Sequence, residues 1–337
     1  MQVADLGPTI IARRRSITYQ HELRRFLIRR VTTLVVTLFL ASLTVFWVLN
    51  ILPGKPAQVI LGTQATPSAV AALTAKLGLD RPLVDQYLHW IHGLITLHLG
   101  NSYISGQPIA PVIGSALEVT GPLVVGGLLV GVAIAAPLGI ASALRHTRRS
   151  GVIFSGIAQI GIAIPNFVLG ILLIIIFAVD LKALPASGFI TWSTSITGAL
   201  RSLVLPAVSL GLVEGAILAR YVRASIIEVL HADFLRTARA KGLRPNQALL
   251  RHGLRNASIP VLTVLGLELS GLIIGAVVIE AVFTLPGLGS LLLSSVENRD
   301  LITVQDIVML VATAVLLVNT AVDILYRVID PRMGLRS

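Results

Sequence analysis

Six stretches of this chain are apolar and long enough to cross a lipid bilayer, and that pattern constrains the fold more than any other feature. They cover residues 31–52, 119–144, 152–179, 203–219, 260–285 and 307–325. A helix needs about 20 residues to span a hydrocarbon core. The fourth stretch is short and is interrupted by Glu214. Runs of this length exclude a membrane β-barrel, whose strands are about ten residues long and alternate in polarity. In hydrocarbon the backbone must satisfy its own hydrogen bonds. The expectation is therefore an all-α membrane protein with six transmembrane helices. Composition agrees, since 55% of the 337 residues are hydrophobic and 13% are charged. That is about half the charge of a soluble domain. The first stretch follows Arg24, Arg25, Arg29 and Arg30, is too long for a signal-peptide core, and reads as an uncleaved anchor.

The net charge of +11 does not point to nucleic acid, because the basic residues are scattered over short loops without interleaved aromatics. They read instead as topology signals. If the N-terminus is cytoplasmic, 21 Lys and Arg residues fall on the inside and six on the outside. Both termini are then expected in the cytoplasm. This divides the chain into a cytoplasmic segment 1–30, a first span 31–52, an extracytoplasmic lobe 53–113 and a core 114–337 with a cytoplasmic loop at 220–258. The lobe reads as helical. Thr66-Pro67 is an N-cap with Pro at N1, opening a helix that ends near Gly78, and a second helix runs from Pro82 through Trp90 to about Leu97. His89, His92 and His98 lie there, but no carboxylate is placed to complete a metal site, so surface histidines are expected. Without cysteine, the chain has no disulfides, thiolate metal sites or Cys nucleophile.

Small residues mark the spans. Gly127–Gly131, Gly211–Gly215 and Gly271–Gly275 each form GxxxG, which lets helix backbones approach closely in lipid. Four acidic residues sit in or at the ends of spans, namely Glu214, Glu268, Glu280 and Asp323, with Glu118 just before the second. A carboxylate in a membrane needs a partner, a cavity or a proton. Glu214 and Glu268 are candidates for lining a translocation pathway, structural pairing between spans being the alternative. Glu280 is expected at the outer interface.

Between the fourth and fifth stretches, Asp233 can cap a helix from Phe234 to Lys241, with Gly242 as its C′ residue. Pro245 opens a second helix to about Arg255, and Pro260 begins the next span. Phe234, Leu235 and Ala238 are expected on one face, with Arg236 and Arg239 elsewhere around the helix. Such a helix–turn–helix suits either an anionic lipid surface or docking of a cytoplasmic partner.

This segment resembles the "EAA" loop of binding-protein-dependent ABC importer permeases, with Arg236-Thr237-Ala238 in the EAA place and Gly242 as its glycine. Further matches run in order along the chain from about Leu23. They are "LNILPGKPA" at 49–57, "LGLDRPLVDQYLHW" at 77–90, "IPNFVLG" at 164–170, "LPASGF" at 184–189, "LRHGLRNASIPV" at 250–261, "FTLPGLGSLL" at 283–292 and "DPR" at 330–332. Together they resemble the dipeptide/oligopeptide/nickel permease subfamily. The chain departs from that pattern in its N-terminal extension and at Lys55, His98, Asn166 and Gly253.

The resemblance implies a type I importer permease that pairs with a second, homologous permease. It also implies one or two cytoplasmic ATPases that bind ATP and Mg, and an extracytoplasmic solute-binding protein. It places ATPase docking on Asp233, Phe234, Leu235, Arg236, Thr237, Ala238, Arg239, Ala240, Lys241 and Gly242. This chain itself carries no G-x-x-x-x-G-K-[ST], G-x-S-x-G or H-E-x-x-H, so it is expected to be a transport subunit without a cofactor of its own, not an enzyme. Peptides are the leading substrate class, with nickel or another small solute as the alternative. An ion-coupled secondary transporter is the competing class, but such a protein shows internal repeats and has no need of a docking segment.

Overall fold

The computed structural model describes residues 8–51 and 56–329, and among these it is helical throughout apart from turns and one isolated bridge between Asn101 and Pro108. Lys55 and the closing Asp330-Pro331-Arg332 lie outside the described residues. The first apolar stretch is the C-terminal part of a longer helix, α1 (Pro8–Ile51), whose span is Arg24–Ile51.

Three short helices build the lobe: α2 (Pro56–Leu61), α3 (Pro67–Lys76) and α4 (Leu83–Thr96). Thr66 Oγ1 accepts from the Ala69 N–H at 3.3 Å and Pro67 supplies a fixed first φ, as the sequence predicts. Gly78 at φ +69° ends the first of the two predicted helices, and Leu97 in the left-handed conformation ends the second. The lobe is pinned to the spans by its aromatics. Tyr87 and Trp90 pack on Phe46 of α1, with ring centroids 5.4 and 6.1 Å away. Trp90 Nε1 donates to Asp306 Oδ1 at 2.9 Å, in a buried contact 216 residues apart in sequence.

The centre of the bundle is the pair α5 (Ile109–Leu144) and α8 (Ile196–Leu230). Two of the GxxxG motifs meet here. A Cβ on Gly211 would stand 2.5 Å from the Gly127 carbonyl oxygen, and one on Gly215 would stand 3.0 Å from that of Gly131. Only glycine allows these backbones to approach so closely. α8 corrects the sequence reading of its stretch. It is a 35-residue helix whose most apolar window is 72% buried, the most enclosed span of the five straight ones. Its centre touches protein on all sides, so it tolerates Ser202, Ser209 and Glu214 where a lipid-facing helix would not. Glu118 likewise lies within α5, not before it.

The third stretch is not straight. α6 (Arg149–Ala163) and α7 (Asn166–Leu173) meet at a 97° bend, and α7 continues as a π-helical turn, Ile174–Asp180. Ile164 is extended at φ −90°, ψ 122°, as a residue before proline prefers, so Pro165 sets the break. The pair still crosses the bundle. α6 starts beside the end of α5, whereas the segment after α7 reaches the opposite end, where the Gly188 N–H donates to the Phe283 carbonyl at 2.9 Å and Trp192 Nε1 to the Glu118 carbonyl at 2.8 Å. With the bent pair as one span, the described residues supply six crossings.

After α8 come α9 (Asp233–Ala240) and α10 (Pro245–Ala248). Through a π-helical turn, Leu249–Gly253, α10 runs on into α11 (Leu254–Val282). The predicted start of the fifth span at Pro260 is thus overturned, because Pro260 lies inside the helix. α12 (Leu288–Glu297) follows, and then α13 (Leu301–Ile329), which lies along α1. Arg30 pairs there with Asp323, and the Arg327 guanidinium sits 4.5 Å over the Phe26 ring. Val119, Leu123, Leu210, Leu272, Ile279 and Phe283 form the main buried core between α5, α8 and α11.

Candidate functional site

Two groups of residues have functional geometry, one at the end of the bundle opposite the lobe and one within it. The first is α9. Its N-cap is Ala232, which makes no side-chain cap bond, so Asp233 is not the cap that the sequence suggests. Asp233 occupies the first turn, where a negative charge complements the helix dipole. Its carboxylate pairs with Arg236 at 3.6 Å, and Thr237 Oγ1 donates to its carbonyl at 3.0 Å. Leu235 is fully buried and Ala238 partly so, which fastens the helix to the bundle. Phe234 departs from the predicted shared face. One position along the helix from Leu235, it is turned away and left 42% exposed. Arg236, Thr237, Arg239, Ala240 and Lys241 are exposed as well. The presented surface is an aromatic ring among cations.

The exit from α9 is well defined. The Gly242 N–H donates to the Arg239 carbonyl at 3.0 Å and the Leu243 N–H to that of Ala238 at 3.4 Å, the double closure of a Schellman turn. Gly242 has φ +93°, so the predicted C′ role holds. Beneath α9, Ile226, Val229, Leu249 and Ala257 form a local core. Ser225 Oγ donates to the Ala257 carbonyl at 2.8 Å, joining α8 to α11. The helix offered outward rests on α10 and the π-helical turn 249–253, which in turn packs on α8 and α11, the spans that carry Glu214 and Glu268.

The second group is that pair. Glu214 on α8 is 9% exposed, and its Oε2 is buried without a hydrogen-bond partner. Glu268 on α11 is partly exposed. The two carboxyls converge beside Gly271, with Glu214 Oε1 and Glu268 Oε2 at 3.8 and 3.9 Å from where its Cβ would stand. One turn on, Asn166 Nδ2 lies 3.2 Å from the corresponding point on Gly275. Gly271 thus leaves space beside the carboxyls, while Gly275 also admits Leu210 Cδ1 of α8 at 3.1 Å from the same point. Leu267, Gly271, Ile274 and Val278 form an exposed stripe on the same helix.

Glu280 stands near the lobe-side end of α11 but does not face water there. It is completely buried. It accepts from Thr120 Oγ1 at 2.5 Å and from the Gly289 and Ser290 N–H groups at 2.7 and 3.2 Å, and Thr120 Oγ1 in turn accepts from the Leu288 N–H at 2.8 Å. The carboxylate satisfies the first turn of α12 and ties it to α5. A side chain on Gly287 would collide with it. Asp306, which pairs with Trp90, was missed because it stands one residue before the apolar stretch that begins at 307. Near it, burial first, then Asp300 and Asp306, push the Tyr103 phenol up from its ordinary value of 10.0. His89, His92 and His98 are exposed. Among the described residues no three His, Cys, Asp or Glu side chains are placed to hold a metal, and His98 Nδ1 lies 2.9 Å from the Thr96 carbonyl.

A bundle of apolar spans with a projecting helix between the fourth and fifth is the architecture of a multi-pass membrane protein. Residues 135–335 match the family model of the binding-protein-dependent transport system inner membrane component, and residues 23–128 match that of its N-terminal membrane component. The chain belongs to this family of ABC importer permeases. It is a multi-pass transport subunit, and the ATPase of such systems is a separate subunit. It is 39% identical over 306 residues to the glutathione transport system permease protein GsiC of Escherichia coli K12, covering 91% of this chain and 97% of that protein. The GsiC protein of Shigella flexneri serotype 5b is 38% identical over the same shares.

Proposed function

We propose that this permease forms half of the pathway of an importer for short peptides or peptide-like solutes, paired with a second homologous permease. An extracytoplasmic solute-binding protein delivers the substrate, and one or two cytoplasmic ATPases, which hold the ATP and Mg, drive the cycle. The substrate class rests on the family and on its relatives named for glutathione, itself a tripeptide. One observation carries the coupling role, namely α9. A short helix is fastened by Leu235, stopped by Gly242 and presents Phe234 and cations outward, at the end of the most buried span. Asp233 through Gly242 are read as the surface that docks the ATPase, with the lobe and α12 on the side that meets the binding protein.

Closure of the ATPases would displace α9, and Ser225 and the local core would carry that displacement into α8 and α11 as a rigid-body movement. The complete complex in proteoliposomes is the test. It should accumulate labelled trialanine or glutathione when ATP and loaded binding protein are present. The permease alone should neither hydrolyse ATP nor accumulate peptide on a proton gradient. Gradient-driven uptake by the lone chain would overturn the reading.

A further inference from the structure

The pathway residues can be assigned a ligand chemistry, resting on the peptide-importer reading above. α8 keeps Glu214 at 9% exposure although Oε2 has no donor, a costly arrangement in a span unless a proton or a ligand completes it. Glu268 brings a second carboxyl to the same place from α11, with nothing larger than the Gly271 hydrogen between them and the exposed stripe. Among the described residues no cation is paired with either carboxyl. One turn along, about 6 Å, Asn166 approaches Gly275, and the Asn166 and Phe167 N–H groups at the Pro165 break have no helical acceptor, the Val168 N–H being the first to find one in the Pro165 carbonyl. Acceptors for a cation thus stand beside donors for an oxygen. A peptide terminus, with its ammonium and neighbouring carbonyl or carboxylate oxygen, carries that pair of groups. A bare divalent cation would use the carboxyls but not the donors.

We propose that Glu214 and Glu268 receive the substrate's free ammonium group during translocation, while Asn166 and the first turn of α7 orient the adjoining oxygen. Glu268, at the edge of the open stripe, meets the ammonium first, and Glu214 completes its coordination from within. Gly271 keeps the approach clear, whereas Gly275 seats Leu210 of α8.

The test uses the complete transporter, purified with its partner permease and ATPases and held with ADP and vanadate, with no binding protein present. Retained tritiated trialanine is measured, normalised to co-purified ATPase. Wild type should retain it, and excess unlabelled trialanine or glutathione should displace it while N-acetyl-trialanine does not. Glu268→Gln should lower retention at least tenfold, whereas Glu268→Asp, which keeps the charge, should stay within about threefold. Equal displacement by N-acetyl-trialanine, unchanged retention in Glu268→Gln, or equal losses in Gln and Asp would each overturn the assignment. So would no retention by wild type, or displacement by nickel ions alone. Uptake by the wild-type complex is scored separately. If it imports trialanine but fails these criteria, the site assignment falls and the importer reading stands. If it imports neither peptide, the importer reading fails first.

Discussion

Gly242 shows how a single residue can matter without filling space. Its φ of +93° strains any L side chain, yet nothing lies within 4 Å of where a Cβ would stand. Substitution therefore costs about 1 kcal/mol in backbone conformation, too little to unfold a six-span protein. It redirects the chain leaving α9 instead. Gly242→Val and Gly242→Asp should insert normally but lose stimulation of ATP hydrolysis by loaded binding protein. Gly242→Asn, which tolerates the left-handed region, should keep most of it. Full stimulation in the Val variant would show that the corner does not set coupling. Glu280 is the opposite case. Glu280→Ala strands Thr120, the buried Gly289 N–H and the partly buried Ser290 N–H of α12, with a cost of about 1–3 kcal/mol for a buried group. We expect a lower melting temperature of the purified permease, and a smaller loss in Glu280→Gln, which keeps an acceptor. The difference in legibility between the two residues is physical. The role of Gly242 depends on neighbours within four positions, whereas Thr120 stands 160 residues from Glu280. No local pattern in the sequence joins them.

At the scale of elements, the α5–α8 seam was only half legible. GxxxG announced close packing, but the choice of Gly127–Gly131 against Gly211–Gly215 depends on which helices become neighbours. Gly211→Val should be severe, since the new Cβ meets a backbone carbonyl at 2.5 Å that no rotamer can move. Overpacking of even flexible neighbours costs about 1–3 kcal/mol. The yield of folded protein in mild detergent should collapse. Gly156→Ala is the control, because nothing lies within 4 Å and the residue sits inside α6. It should be neutral or stabilising by up to about 1 kcal/mol from helix propensity. Comparable losses in the two variants would show that the seam is not the reason. Proline misled the reading for a related reason. As a soluble-helix start signal it placed a boundary at Pro260. Packed membrane helices absorb proline because neighbouring helices and local π-turns satisfy the freed carbonyls. Pro122, Pro137, Pro206 and Pro260 are all internal here, and only Pro165 breaks its span.

The whole molecule poses a question of sidedness that the bundle alone does not answer. Six crossings put α9, the start of α1 and the end of α13 on one side of the membrane and the lobe on the other. That parity depends on the bent α6–α7 pair crossing once, as the contacts of Gly188 and Trp192 at the lobe end require. Were the pair to turn back, α9 and the lobe would share a side. From the distribution of 21 basic residues against six we propose that α9 faces the cytoplasm, because basic loops near spans are retained there. The chain contains no cysteine, so single cysteines can be introduced without removing any. Gln86 on α4 and Lys241 at the end of α9 suit this, since neither lies in the apolar part of a span. In intact cells permeable at the outer envelope, a membrane-impermeant maleimide should label Gln86→Cys within minutes. Lys241→Cys should react only after the inner membrane is opened. Labelling of both in intact cells, or of neither, would mean that α6–α7 fails to cross. Labelling of Lys241→Cys alone would invert the protein and place α9 beyond the reach of any cytoplasmic ATPase.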